Sequence, residues 1–181
     1  MLLTLEEIRE QLDYKFSPLG SDFDDLRLLK RDQPLLNLKS SEERLNISFP
    51  EKFSSFLDSY NLDNFSLCNI SFGNGSDYLN MLVNINDRNN INKWWTGKNR
   101  PTEFIVIAIS DPYTILLNVD TGEVFSMTSE SSMDNFEQIA SDFVLFFRGL
   151  GTLFINKESP IKIAKLVSSQ SIEFWDELSN Q

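Results

Sequence analysis

Glu103-Phe104-Ile105-Val106-Ile107-Ala108-Ile109-Ser110-Asp111-Pro112-Tyr113-Thr114-Ile115-Leu116-Leu117-Asn118-Val119-Asp120-Thr121-Gly122-Glu123-Val124-Phe125-Ser126-Met127 reads as three strands joined by two tight turns. β-Branched and aromatic residues fill Glu103 to Ile109, Tyr113 to Val119 and Glu123 to Met127, side chains that fit a pleated, half-buried surface. Ser110-Asp111-Pro112 suits one tight connection. Asp120-Thr121-Gly122 suits a short hairpin loop with its glycine at positive φ. Consecutive hairpins imply an antiparallel sheet, because parallel neighbours need long crossovers.

Upstream, Phe65 to Phe72 and Tyr78 to Ile85 are further β-like runs, separated by a turn at Gly73-Asn74-Gly75. Asp87 to Pro101 is a polar interruption carrying Trp94-Trp95, read as an extended loop. Ser48-Phe49-Pro50-Glu51 joins a capping serine, a proline near the first turn and an acid three residues on. Phe53, Phe56, Leu57 and Tyr60 then recur at helical spacing. Thr4-Leu5-Glu6-Glu7 has the form of a capping box, with Ile8 and Leu12 on one face of a first helix that frays near Ser17-Pro18-Leu19-Gly20. Ser21 to Pro34 mixes acids and bases with Phe23, Leu26, Leu28 and Leu29, and reads as either an amphipathic helix or an irregular arm.

Downstream, Phe136, Ile139, Ala140, Phe143 and Phe147 predict a helix from about Asn135 to Arg148 that packs on the sheet, with Gly149 and Gly151 as stop signals. A terminal helix is expected around Ser171 to Leu178, docking through Ile172, Trp175 and Leu178. The expected core joins Phe53, Phe56, Leu57, Phe143 and Phe147 to strands bearing Ile107, Ile109 and Leu116. The fold class is α+β, in one domain.

A chain of 181 residues can bury roughly 70% of its unfolded surface and needs no staples. Lys and Arg total 16 against 27 Asp and Glu, a formal charge of −11 that repels phosphate backbones and disfavours nucleic acid. A basic protein partner is electrostatically suited to it. With no histidine, serine–histidine–acid and cysteine–histidine catalysis are excluded, and the commonest nitrogen ligand for zinc is missing. The one cysteine, Cys68, can form neither an internal disulfide nor a multi-cysteine metal site, and its apolar surroundings suggest a small buried hydrophobe. No Walker loop or complete dinucleotide fingerprint is present, so no cofactor and no metal is expected. Met1-Leu2-Leu3-Thr4-Leu5-Glu6-Glu7 lacks the marks of a signal peptide and no apolar run approaches a membrane span, so a cytoplasmic, non-membrane protein is expected. Asp22, Asp24 and Asp25 form an acidic segment. Trp94 and Trp95 are costly to leave in water, so the indoles either anchor their loop to the core or contact a partner.

Three stretches in order carry a family resemblance. Glu42-Glu43-Arg44-Leu45, with Ile47-Ser48-Phe49-Pro50-Glu51-Lys52-Phe53-Ser54-Ser55-Phe56-Leu57 and Tyr60-Asn61, is similar to the opening of the SUKH superfamily (SMI/KNR-like). Ile107-Ala108-Ile109-Ser110-Asp111 and Ile115-Leu116-Leu117-Asn118-Val119-Asp120-Thr121-Gly122-Glu123-Val124-Phe125 resemble its central strands. Ala140-Ser141-Asp142-Phe143-Val144-Leu145-Phe146-Phe147 resembles its closing helix. Asn61-Leu62-Asp63-Asn64 and Asp111-Pro112-Tyr113 depart from its glycine-rich turns. The resemblance implies a twisted, mainly antiparallel sheet partly wrapped by helices, spanning residues 40–156. Residues 1–39 are then an N-terminal helical extension, and 157–181 a tail whose helix packs on the domain. It further implies no catalytic residues and a protein-binding role, chiefly that of an immunity protein neutralising a nuclease- or deaminase-type bacterial toxin. On that reading Asp22, Asp24, Asp25, Trp94 and Trp95 are the candidate contacts. Two other roles stay open: a regulatory scaffold in cell-wall or stress signalling, and a small-molecule binder or cryptic enzyme.

Overall fold

The computed structural model describes residues 1–73, 77–89, 101–128 and 136–180. Helix α1 (Leu5–Phe16) opens as its capping box requires: the Thr4 hydroxyl accepts from the Glu7 N–H at 3.2 Å, and Glu7 accepts from the Thr4 N–H at 2.8 Å. The following arm is irregular, a 3-10 turn over Ser21–Leu26 and then a short strand β1 (Leu29–Lys30). Helix α2 (Leu38–Leu45) precedes α3 (Glu51–Ser59), which leads directly into β2 (Tyr60–Asn61), the antiparallel partner of β1. Ser48 does not cap α3. Pro50 is the N-cap with extended backbone, so the helix starts beyond it, and Glu42 instead accepts the Phe49 N–H at 2.6 Å.

The main sheet has six antiparallel strands among the described residues, in simple sequence order. They are β3 (Ser66–Leu67), β4 (Ile70–Ser71), β5 (Phe104–Ile109), β6 (Tyr113–Asn118), β7 (Val124–Thr128) and β8 (Glu137–Ala140). The β6–β7 loop places Gly122 at φ 79°, as its turn requires. The Phe65 to Phe72 run is two short strands rather than one, turning through Cys68 and Asn69, both in the left-handed region.

Two elements correct the sequence reading. Tyr78 to Ile85 is no strand. Helix α4 (Tyr78–Asn86) forms there because the Asp77 carboxylate accepts from the Leu79 and Asn80 N–H groups, and Tyr78, Leu79, Leu82, Val83 and Asn86 fall on one buried face. Conversely, the start of the helix expected over 135–148 is strand β8, which pairs with β7. Asp142 then caps α5 (Phe143–Asn156), accepting from the Leu145 N–H at 2.8 Å. Gly149 and Gly151 do not stop this helix. They lie inside it because there is no room for a side chain: a Cβ on Gly149 would stand 2.7 Å from the Trp175 ring, and one on Gly151 2.4 Å from Ile8.

Helix α6 (Pro160–Leu166) and helix α7 (Ile172–Ser179) close the chain, α7 capped by Ser171. It docks through Phe174, Trp175 and Leu178, whereas Ile172 is 52% exposed. One contiguous core takes in Ile8 and Leu12 of α1, the sheet and α3–α5, and Trp175 of α7. Phe53, Phe56, Leu57, Phe143 and Phe147 are buried together in it, with ring centroids 4.8 Å apart for Phe53 and Phe143 and 4.7 Å for Phe56 and Phe147. Ile107 joins them, but Ile109 and Leu116 do not. Strand alternation sends Leu116 to the opposite face, where it packs with Val106 and Met127. The irregularity between Val106 and Ala108 in β5 shifts the phase, turning Ile109 outward.

Candidate functional site

The acidic segment Asp22, Asp24 and Asp25 lies on the 3-10 turn beside α1, but its members are not equivalent. Asp24 holds Arg27 at 2.6 Å, and Arg27 also grips Asp13 of α1 at 2.6 Å, so Asp24 helps pin the arm to the helix. Asp22 is exposed and Asp25 half-buried. Trp94 and Trp95 lie outside the described residues.

Elsewhere several cations are paired with acids. Arg9 and Lys30 both reach Glu6, at 2.7 and 2.9 Å, and hold its carboxyl at about 2. Arg31 approaches Asp63 at 3.6 Å, Lys52 pairs with Asp142 at 2.6 Å, and Lys162 pairs with Glu158.

At the sheet end near α7 the balance differs. Glu137 of β8 and Glu173 and Glu177 of α7 surround a pocket of about 220 Å³, with Pro112, Tyr113, Ser126, Met127 and Thr128 completing its wall. Glu173 and Glu177 share a helix face because they are four residues apart. None of the three carboxylates has an ion-pair partner among the described residues. The Tyr113 hydroxyl donates to Glu177 at 2.7 Å. Burial, that hydrogen bond and the negative charge of Glu177, Glu173 and Glu137 together push the Tyr113 pKa well up. The i,i+4 glutamates were readable in the sequence. Their convergence with Glu137 was not, because it depends on residues 137–140 being a strand.

A cavity of about 600 Å³ opens between the β3–β4 turn and the ends of α5 and α7, lined among others by Leu67, Cys68, Leu153, Phe154, Lys157 and Leu178. Burial pushes the Cys68 thiol up to about 12, and its sulfur lies 3.9 Å from the Leu150 carbonyl oxygen, so it stays protonated and weakly nucleophilic near neutral pH. The cavity's carboxylate, Glu158, sits below the usual range because of Lys162 and the Ser159 N–H, the opposite of a raised general acid. Among the described residues, no group of three or more His, Cys, Asp or Glu side chains is placed to hold a metal ion, and no helix is long and apolar enough to cross a membrane.

No known protein-family model matches the chain, and no curated protein matches it.

Proposed function

We propose that this chain is a non-catalytic protein-binding module, acting in the cytoplasm as an immunity protein that neutralises a bacterial nuclease- or deaminase-type toxin with a basic surface. The observation that carries this reading is the distribution of charge. The net charge is −11, and the paired cations leave Glu137, Glu173 and Glu177 uncompensated around one opening. Such a face attracts a basic protein and repels nucleic acid, as an inhibitor that competes for a nucleic-acid-binding groove must. The SUKH-like order of segments supports the same role, and Asp22 and Asp25 extend the acidic surface on the N-terminal arm.

The test is co-expression with the product of the adjacent gene. Growth arrest by that product, relieved by this chain through a stoichiometric complex, is the expected result. A harmless neighbour, or toxicity that persists when this chain is abundant, would refute it.

The cavity of about 600 Å³ favours a second reading, as a receptor for a small amphipathic molecule seated against Leu67, Leu153 and Leu178 with its polar end at Lys157. Extraction of purified protein followed by mass spectrometry separates the two, since only the second reading expects a stoichiometric small molecule.

A further inference from the structure

We propose that the pocket framed by Glu137, Glu173 and Glu177 is a receptor for one arginine side chain presented by the partner. Carboxylates alone would not single out such a site, because acidic clusters are ordinarily solvated surface. The second observation is Ser126. It is 2% exposed, it lines this pocket, and its hydroxyl makes no hydrogen bond among the described residues. Ser126 stands directly opposite Glu137 across the β7–β8 pair, so both side chains lie on the sheet face that bears the pocket. A polar group this buried is normally hydrogen-bonded, and here an incoming N–H donor would complete it.

The geometry selects the class of cation. The acids come from two elements and enclose a volume of about 220 Å³ without being placed to hold a metal ion, so they suit a larger cation whose charge is spread. A guanidinium offers five N–H donors in a planar fork, enough to address carboxylates on separate walls and a serine together, which a single ammonium centre does less well. Pro112 and Tyr113 supply apolar surface for the aliphatic stem. That the arginine belongs to a protein rests on the partner-binding reading above, whereas the pocket's preference for the group does not.

The experiment uses the full chain and Nα-acetyl-arginine amide, titrated while backbone amide resonances are followed by NMR, with the neutral isostere Nα-acetyl-citrulline amide in parallel. The expected result is saturable shifts around Ser126, Glu137 and Glu177 with the arginine probe only. Glu173→Gln and Ser126→Ala should each weaken binding about two- to fivefold, as loss of one partly exposed contact does; unchanged thermal unfolding would confirm that both variants fold. Equal shifts with both probes, no shifts with arginine, or undiminished binding by both variants would overturn the proposal. Toxin neutralisation that succeeds while the arginine probe fails removes the pocket and leaves the function. Arginine binding without neutralisation does the reverse.

Discussion

Asn86 grips Val106 by both of its backbone groups: the side-chain amide donates to the Val106 carbonyl at 2.8 Å and accepts from the Val106 N–H at 2.8 Å. Strand β5 is paired along one side by β6, whereas on the other side β4 meets it only at Ile109. Helix α4 fills the gap, with Asn86 standing in for a strand and the Tyr78 hydroxyl donating to the Ile107 carbonyl at 2.8 Å. An open sheet edge is thereby closed against pairing with another chain.

Asn86→Ala should therefore cost about 2–6 kcal/mol, since it leaves a buried N–H and a buried carbonyl unpaired at roughly 1–3 kcal/mol each. Asn86→Asp should be as damaging at neutral pH, because a carboxylate faces the Val106 carbonyl with no proton to donate. It should recover in part under mild acid as the carboxyl gains one. Urea unfolding of both variants checks this. Two near-neutral variants would mean that the edge is satisfied in another way.

Gly151 predicts a steric outcome that runs against helix propensity. In a free helix, Gly to Ala gains up to about 1 kcal/mol. Here the new methyl meets three carbons of Ile8 at 2.4–2.9 Å, and overpacking of this kind costs about 1–3 kcal/mol. Gly151→Ala should lower stability, and adding Ile8→Ala should cost less than the sum of the two single changes. Additive effects in a double-mutant cycle would show that the α1–α5 contact is looser than the distances indicate.

These residues also show what the sequence could disclose. The β5–β6–β7 meander and the Thr4 capping box were legible because their signals are local: turn residues between β-branched runs, and two polar side chains three residues apart. Gly149 and Gly151 were misread because a stop signal and a close-packing site look alike until Ile8 and Trp175 arrive from the two ends of the chain. Tyr78 to Ile85 was mistaken for a strand because it is apolar almost throughout. The Asp77 cap and the 78, 79, 82, 83, 86 spacing are what mark it as a helix. Over 136–147 the spacing suited a helix, yet pairing with β7 prevailed up to Ala140. The acidic pocket was invisible for the same reason.

Acid sensitivity follows from Glu6. Hydrogen bonds from Arg9 and then Lys30 lower its carboxyl from 4.5 to about 2. A depressed folded-state pKa stabilises the native state above the unfolded value and loses that contribution as pH falls through the folded one. The stability difference between native protein and Glu6→Gln should be constant above pH 4.5, shrink below it and vanish near pH 2. Because the pair is exposed, the difference should also fall with added salt. A gap that widens on acidification would contradict the sign.

Electrostatic steering gives the last prediction and locates the interface. Opposite charges accelerate encounter over distances beyond contact, whereas rim charges add little equilibrium affinity. The association rate with a neutralised toxin should therefore fall steeply as salt rises, while dissociation changes little. Two variants separate the acidic regions: Asp22→Asn with Asp25→Asn on the arm, and Glu137→Gln with Glu173→Gln and Glu177→Gln at the pocket. Asp24 is kept in both, because its removal would take away one of the two carboxylates that hold Arg27 and loosen the arm on α1. If the pocket faces the partner, its variant should lose most of the salt dependence and also dissociate faster, since it removes a buried anchor as well as long-range charge. The arm variant should associate more slowly with unchanged dissociation. Faster dissociation confined to the arm variant would instead place the interface at residues 21–26. A native association rate insensitive to salt would refute steering at either place.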